Sequence, residues 1–302
     1  QITQEMGWQL THIPEAYEGL GLGYVELCIL FEKMGKNLLC SPFFSNISLG
    51  ANALMLAGTE AQKAKGLAEI ARGEARYSLA YADGSRAWGC AAVTAEYTQL
   101  NDGSIALNGE YKFVVDGHTA DRLVVAARKA GTSGHDGIGL FLVAVDSIGV
   151  SRQWTPTMDQ TRKLAKVCLS EVIVPESAVM KDLGAAAKHV DNILALASIA
   201  MSAEQMGVAD KSLEMTVDYI AERKQFGRAV GSFQAVKHKA ADMLTKAEAA
   251  RSAVYYAACI ADEFFAGSPL GDELLEAASI AKAYCCEAAF FNAGCAIQLH
   301  GG

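Results

Sequence analysis

The sequence has 302 residues, a net charge of −8 and a pI of about 5.3. Hydrophobic residues make up 51% and charged residues 20%, which is typical of a globular protein with a large core and, at this length, two or three domains. Nucleic acids and anionic membrane surfaces both require a basic face, so the charge argues against either as the main partner.

The cysteine pattern predicts reduced thiols. The eight cysteines form no C-x-x-C pair and show no spacing typical of metal ligands. Four of them lie in alanine-rich helical sequence, where cysteine packs as a small apolar residue: Cys259, Cys285, Cys286 and Cys295. We therefore expect a cytoplasmic protein. No apolar run is long enough to span a membrane, and both ends of the chain are expected to be the edges of a longer one.

Residues 1–75 are predicted to form an N-terminal helical domain. Apolar residues recur at helical spacing over 26–39 and again over 46–56. Thr59 precedes another helical stretch and is a candidate N-cap, because its hydroxyl can accept a hydrogen bond from the first turn.

Over residues 76–182 the helical spacing of apolar residues gives way to short β-rich runs, and this stretch is predicted to form a β domain. Turn sequences at 101–103 and 107–109 separate short runs rich in β-branched residues, and Asn-Gly at 108–109 is a strong hairpin signal. Strands at this spacing favour a small β-barrel or sandwich. The predicted strands are 104–107, 111–115, 123–127, 140–145 and 166–174.

Residues 183–302 return to helical periodicity. Three long helices are predicted, over 193–219, 237–265 and 272–296. Long helices joined by short connections are typical of a four-helix bundle.

The sequence does not support several common cofactor-binding and catalytic motifs. The glycines at 19, 21 and 23 follow Pro14 and Glu15 rather than a strand, so a loop between helices is favoured over a dinucleotide fingerprint. The six histidines show no zinc-ligand spacing, and the sequence contains neither a P-loop nor a hydrolase elbow.

The most distinctive segment is 222–236. In one interpretation it is a charged helix end with Gly227 as the C-cap. In the other, Arg223 offers a planar fork of donors for a pyrophosphate. Phe226 then offers a flat face for an adenine, and Gln225 and Gln234 offer amide groups. Physical chemistry alone favours the first interpretation.

A resemblance reverses that preference. The segment "ERKQFG…FQAV" closely resembles the C-terminal flavin motif of acyl-CoA dehydrogenases. Four more segments agree with that family in order and spacing: "PEAYEGLGLGY", "LNGEYKFVVDG", "VPESAV" and "QLHGG". The resemblance spans essentially the whole chain and implies the family's helical, β and helical architecture.

The resemblance implies α,β-dehydrogenation of an acyl-CoA thioester, in which a glutamate removes the α-proton and flavin takes the hydride. It also implies an FAD that lies across a subunit interface, with its ring in one β domain and its ADP half on the neighbour's C-terminal domain. Carried over to this sequence, the residues for the ADP half are Arg223, Gln225, Phe226, Gln234, Gln298, Gly301 and Gly302.

The residues for the flavin ring depart from the family pattern. Ala80 and Val115 stand where the family has threonines near the flavin edge, and Tyr81 adds bulk beside Ala80. Each missing hydroxyl removes a hydrogen bond worth about 1 kcal/mol. We therefore expect no flavin ring in this β domain.

The catalytic glutamate is also missing from its expected place. One family position falls near Ala197, whose neighbours Leu196 and Ser198 are not bases, and the other lies beyond residue 302. Glu204 is the nearest carboxylate on that helix, about 10 Å along the axis at 1.5 Å per residue, and is interpreted as structural. No catalytic residue is assigned.

The leading hypothesis is a non-catalytic partner subunit that binds the ADP half of an FAD. Its unlike, catalytic partner would hold the ring and the acyl-CoA in an α2β2 heterotetramer, by analogy with the steroid-degrading enzymes of the family. A second hypothesis is a self-sufficient homotetramer with its glutamate after residue 302. A third is a flavin-free binding or assembly subunit, and a fourth, a flavin monooxygenase, has no specific support.

Overall fold

The computed structural model describes residues 5–85 and 87–301. The helical, β and helical order is as predicted. The helices are α1 Tyr24–Lys36, α2 Asn52–Ala57, α3 Glu60–Ala71, α4 Ala187–Glu222, α5 Gln234–Phe265 and α6 Leu274–His300. A π-helical segment, Phe44–Ala51, leads into α2. Short 3-10 turns lie at Trp8–Leu10, Glu15–Tyr17, Gly89–Ala92, Glu176–Ala178, Val230–Ser232 and Pro269–Glu273. Among residues 5–85 and 87–301, no helix has both the length and the apolar character needed to cross a bilayer.

The chain divides into two compact units, each made of two chain segments: Gln1–Leu22 with Cys40–Ala197 in unit 1, and Gly23–Leu39 with Ser198–Gly302 in unit 2. The N-terminal helix α1 thus belongs to the same unit as the C-terminal helices. The division into domains at 1–75, 76–182 and 183–302 stays a prediction.

Helix α3 in unit 1 begins where the sequence predicts. Thr59 Oγ1 accepts a hydrogen bond from the N–H of Gln62, and Gln62 Oε1 accepts one from the N–H of Thr59. This reciprocal capping box satisfies two amides that the helix itself leaves unpaired. The Gln62 side chain also donates to the carbonyls of Ser177 and Val179, at 2.9 and 3.0 Å, which ties the helix to the segment that follows the sheet.

The β domain is one curled sheet of seven strands. The predicted strands at 123–127, 140–145 and 166–174 each correspond to one strand of this sheet, the predictions at 104–107 and 111–115 correspond to a single strand, and the other three strands are not among the predictions. The strands are β1 Tyr77–Ala80, β2 Glu96–Gln99, β3 Ile105–Val115, β4 Arg122–Lys129, β5 Ile138–Ala144, β6 Val150–Thr155 and β7 Leu164–Val174. Their order is β1-β4-β2-β3-β7-β6, and β5 pairs with β4. Residues 123–127 of β4 are wholly buried, as expected of a strand covered on both faces.

The hairpin turn predicted at Asn108-Gly109 is wrong, because both residues lie inside β3. The Asn108 side chain donates to Glu171 Oε1 at 2.6 Å and accepts the N–H of Glu171 at 2.8 Å. The pairing of β3 with β7 shifts register between Leu107 and Gly109. A Cβ at Gly109 would lie 2.3 Å from the Cβ of Ala95, so the glycine permits a close approach of two segments rather than a turn.

Unit 2 is held together by a close crossing of α1 and α4. A Cβ added to Gly35 would lie 2.0 Å from the carbonyl oxygen of Glu204, and one added to Gly207 would lie 2.1 Å from that of Glu32. Contact this close is possible only without a side chain. Helix α1 also packs on α5, and α5 packs on α6. The predicted bundle is therefore present, with α1 as a member alongside the three long helices described after residue 183.

Charged side chains reinforce the same helix contact. Glu32 is buried and accepts a hydrogen bond from Arg251 at 2.7 Å. Lys36 Nζ lies 2.9 Å from Asp210 and 2.7 Å from Glu214. Hydrogen bonds to Glu214 and Asp210 raise the pKa of Lys36, so its ammonium form is favoured where α1 meets α4.

The N-terminal end of α1 is capped by α5. The carboxylate of Asp262 accepts the N–H of Tyr24 and, at 3.4 Å, that of Val25. These amides have no partner within the helix. A Cβ at Gly23 would lie 2.6 Å from Asp262 Oδ1, so any other residue here would displace the carboxylate from its present position.

The cysteines follow the prediction in part. No disulfide bond joins any of the eight cysteines. Cys285 and Cys295 are buried in the helices of unit 2 as predicted, whereas Cys259 and Cys286 are exposed. Helical sequence predicts the element correctly but does not say which face of the helix meets a neighbour.

We expect Gly35→Ala to lower the free energy of unfolding by about 1–3 kcal/mol, because the added methyl group forces α1 and α4 apart. Urea unfolding followed by circular dichroism measures the change.

The matched control is Gly294→Ala in α6, where an added Cβ meets nothing within 4 Å. Relief of backbone entropy should make this variant more stable by about 0.5–1 kcal/mol. An unchanged unfolding midpoint for Gly35→Ala would show that the two backbones are further apart than described.

Candidate functional site

The distinctive segment after α4 forms a small hairpin. Two-residue strands, β8 Lys224–Gln225 and β9 Arg228–Ala229, pair antiparallel and are joined by Phe226 and Gly227. Both joining residues have positive φ, 52° and 79°, the backbone of a type I′ turn. The prediction of Gly227 as a helix C-cap is therefore wrong, because α4 ends earlier and Gly227 completes a β-turn.

Phe226 occupies a strained and exposed position. A non-glycine residue in the left-handed region costs about 1–2 kcal/mol, yet the Phe226 side chain is 92% exposed. Its ring lies edge-on to Phe233 at 6.2 Å, and the Arg228 guanidinium lies 4.0 Å from the Phe233 ring centroid. The hairpin thus carries an exposed aromatic ring at the surface of unit 2, and an exposed ring of this kind can stack on a flat ligand.

Arg223 and Gln234 flank this hairpin. The Arg223 side chain is exposed, and its carbonyl accepts the N–H of Val230 at 2.7 Å, which closes the loop. Gln234 is the first residue of α5, whose N-terminus has no side-chain cap. The backbone N–H groups at the N-terminus of α5, together with the helix dipole, favour an anion beside Gln234.

Sequence reasoning missed Ser232. Its hydroxyl is buried and has no hydrogen-bond partner among the described residues, and it lies two residues before α5 begins. A serine just before a helix is a common cap signal, so the sequence held a clue, but Ser232 does not cap α5.

The end of α6 lies beside the end of α4. The rings of Tyr219 and His300 stack with centroids 4.2 Å apart, and the Tyr219 hydroxyl donates to the His300 carbonyl at 3.4 Å. Gln298 is exposed, and Gly301 has φ of 112° with nothing within 4 Å of an added Cβ. The predicted residue Gly302 lies outside the described residues.

In unit 1, the two segments expected at a flavin ring lie side by side. The Ser78 hydroxyl donates to the Val115 carbonyl at 2.6 Å. Ala80 is fully buried in the core of the sheet, and burial raises the pKa of the neighbouring Tyr81. Phe113, close to Val115, is exposed with φ of 58°. The surface is aromatic, and neither Ala80 nor Val115 supplies a side-chain donor.

The position expected for a catalytic base holds no carboxylate. Ala197 and Leu196 are buried, and the Ser198 carbonyl accepts the hydroxyl of Ser202 at 2.7 Å. Glu204 lies in unit 2 at the crossing with Gly35, which supports its interpretation as structural.

Comparison with known families agrees with this architecture. The model of the acyl-CoA dehydrogenase N-terminal domain matches residues 1–74, and that of the acyl-CoA dehydrogenase C-terminal domain matches residues 188–302. The chain belongs to the acyl-CoA dehydrogenase family. Members of this family are FAD-dependent flavoproteins.

The sequence is also similar, at modest identity, to individual acyl-CoA dehydrogenases. The mitochondrial isovaleryl-CoA dehydrogenase of Arabidopsis thaliana is 30% identical over 251 residues, which are 80% of this chain and 60% of the relative. The chain thus spans less than two thirds of that relative.

Solved structures extend the comparison. Butyryl-CoA dehydrogenase from Megasphaera elsdenii is 27% identical with a TM-score of 0.92, covering 100% of this chain and 79% of that one. The Tcur3481–Tcur3483 steroid ACAD is 29% identical with a TM-score of 0.84, covering 99% and 76%.

The residues of unit 2 fit one half of the FAD that acyl-CoA dehydrogenases use. An exposed guanidinium at Arg223, an exposed aromatic ring at Phe226 and the open backbone at Gly301 are groups of the kinds that a pyrophosphate and an adenine require. The expected threonine hydroxyls for the ring half are absent from unit 1.

We expect Phe226→Asn to raise the free energy of unfolding by about 1 kcal/mol, because asparagine accepts the left-handed conformation and Asn-Gly is a favoured type I′ pair. Thermal unfolding measures the change.

Phe290→Asn serves as the control, since Phe290 is also exposed but lies within helix α6. It should give no comparable gain. A lower stability for Phe226→Asn would mean that the contact with Phe233 outweighs the strain.

Proposed function

We propose that the chain is the non-catalytic subunit of an FAD-dependent acyl-CoA dehydrogenase built from unlike chains. In this proposal its unit 2 binds the ADP half of the FAD. One contrast carries the proposal: the groups for the ADP half are exposed together on unit 2, whereas Ala80, Val115 and Ala197 replace the groups needed for the ring and for the base.

Each residue of unit 2 has a distinct role in this proposal. The Arg223 guanidinium donates to the pyrophosphate, where charge-assisted hydrogen bonds are strongest. Phe226 stacks on the adenine, and Gln225 and Gln234 orient it through their amides. Gly301, with Gln298 beside it, allows the backbone to approach the nucleotide without a side chain in the way.

The partner subunit completes the site. FAD, when bound, accepts the hydride in the dehydrogenation of an acyl-CoA to an enoyl-CoA. A catalytic partner would supply the β domain for the ring, the carboxylate base and the acyl-CoA pocket, in an α2β2 assembly with one FAD per pair. The similarity to the Tcur3481–Tcur3483 steroid ACAD supports a steroid acyl-CoA as substrate class, by analogy.

A second candidate is a self-sufficient homotetramer whose base lies beyond residue 302. It is favoured by the aromatic surface of unit 1, where Phe113 and Trp88 are exposed and Tyr81 contacts Trp88 edge-on at 6.4 Å. Such a surface can pack against a flavin ring even without the two threonines.

We expect Arg223→Ala to weaken FAD retention in the assembled enzyme by about ten- to a hundredfold, since a hydrogen bond to a charged group is worth about 1.5–3 kcal/mol. Flavin absorbance after serial dilution and gel filtration measures the loss.

Lys224→Ala removes an exposed positive charge from the adjacent residue and is the matched control. It should retain FAD as the unchanged protein does. Equal retention by Arg223→Ala would remove Arg223 from the proposed site.

Flavin stoichiometry tests the subunit arrangement directly. The chain produced alone should be colourless and inactive, because cofactor binding and assembly are linked. Co-production with the acyl-CoA dehydrogenase chain of a neighbouring gene should restore yellow colour, one FAD per pair and acyl-CoA oxidation. One FAD per chain with activity in the absence of a partner would instead establish the homotetramer.

A further inference from the structure

Three potential metal ligands from separate segments meet in unit 1. Cys90 lies in the 3-10 turn Gly89–Ala92, His135 lies in the loop between β4 and β5, and Asp191 lies near the start of α4. One ligand atom of each residue lies within 4.8 Å of the other two. None of the three belongs to the flavin residues described above.

The distances suit a small coordination sphere. His135 Nε2 lies 3.1 Å from Asp191 Oδ2, and Cys90 Sγ lies 3.8 Å from Asp191 Oδ1. Sulfur, nitrogen and oxygen ligands at tetrahedral zinc bond lengths are separated by about 3.3–3.8 Å. The three ligand atoms lie within 4.8 Å of one another, so a bound cation would draw them together by up to about 1 Å.

A buried arginine sets the positions of two of these ligands. Arg128, on β4, donates to the carbonyls of Cys90 at 2.9 Å, Val93 at 2.5 Å and Gly134 at 3.2 Å. One guanidinium thus joins the turn that carries Cys90 to the loop that carries His135. Because Arg128 is buried, this join is part of the sheet rather than of the flexible surface.

The approach of the turn to the helix depends on Gly89. Its φ is 61°, and an added Cβ would lie 3.2 Å from Asp191 Oδ1. Glycine therefore meets both the backbone and the steric requirement that brings Cys90 beside the carboxylate.

We propose that Cys90, His135 and Asp191 bind a divalent cation of the zinc class. A thiolate and an imidazole prefer a borderline-soft cation over magnesium or calcium, which take oxygen ligands. The His135 side chain is 70% exposed, so a fourth position is open to water. The cation cross-links the turn, the loop and the first turns of α4, three segments that lie far apart in sequence.

A simple ion pair is the competing explanation, and the chain contains a comparison for it. His189 Nε2 lies 2.7 Å from Asp182 Oδ2, also in unit 1. This pair is closer than that of His135 and Asp191 but is not part of a three-ligand cluster in the described residues. It therefore separates the effect of a histidine–carboxylate pair from that of the complete cluster.

The test is a Co²⁺ titration of the purified chain after treatment with a chelator under reducing conditions. We expect one equivalent of Co²⁺ to produce a thiolate-to-metal charge-transfer band that one equivalent of Zn²⁺ abolishes. Cys90→Ser should remove the band. His135→Ala and Asp191→Asn should weaken Co²⁺ binding at least tenfold, since loss of even an outer-shell partner commonly costs that much.

The controls are His189→Ala and Cys286→Ser, which remove the comparison histidine and an exposed thiol. Both should keep the band at one equivalent. A second readout is the thermal midpoint, which Zn²⁺ should raise in the unchanged chain and in both controls but not in His135→Ala. The proposal is overturned if the unchanged chain gives no band, if Cys90→Ser retains it, or if the controls lose it equally.

Discussion

The close crossing of α1 and α4 is the contact on which unit 2 depends. At Gly35 and Gly207 the two helix backbones approach with no room for a side chain, and the buried Glu32 is paired with Arg251 on α5. Removing one partner of a buried pair is strongly destabilising, because an uncompensated charge remains. The crossing and the pair thus constrain the position of α1 at two points, one on α4 and one on α5.

The packing of α1 on α4 also determines where the candidate nucleotide-binding surface lies. Helix α4 is continuous from its crossing with α1 to Glu222, so the position of Gly207 determines where the hairpin with Phe226 lies. Stacking of Tyr219 on His300 then brings the end of α6 to the same place. The groups proposed for a nucleotide are therefore held at the ends of packed helices, although each is exposed.

Local signals in the sequence predict local structure well. Thr59 with Gln62 marks the start of α3, and the helical periodicity after residue 183 predicts the three long helices, because capping and amphipathic packing act over a few residues. Family resemblance, rather than spacing, identified Arg223 and Phe226 as candidate ligand residues.

The failures have long-range causes. Asn108-Gly109 forms no turn because the Asn108 side chain pairs with Glu171 across the sheet, and sequence-based reasoning about turns does not include that partner. The cluster of Cys90, His135 and Asp191 escaped notice for the same reason, since the fold alone brings those residues together. Ser232 was missed because its unpaired hydroxyl is a property of the packed structure.

The grouping of α1 with the C-terminal helices affects how the protein is made on the ribosome. Helix α1 is synthesised about 215 residues before Arg251. At 5–20 residues per second, the interval between the synthesis of α1 and that of Arg251 is roughly 10–40 s. Its apolar face, which includes Leu27, Phe31 and Met34, lacks the α5 side of its packing site until then. During this interval those apolar side chains are without their α5 partners, and exposed apolar surface of this kind makes an incompletely folded chain prone to aggregation.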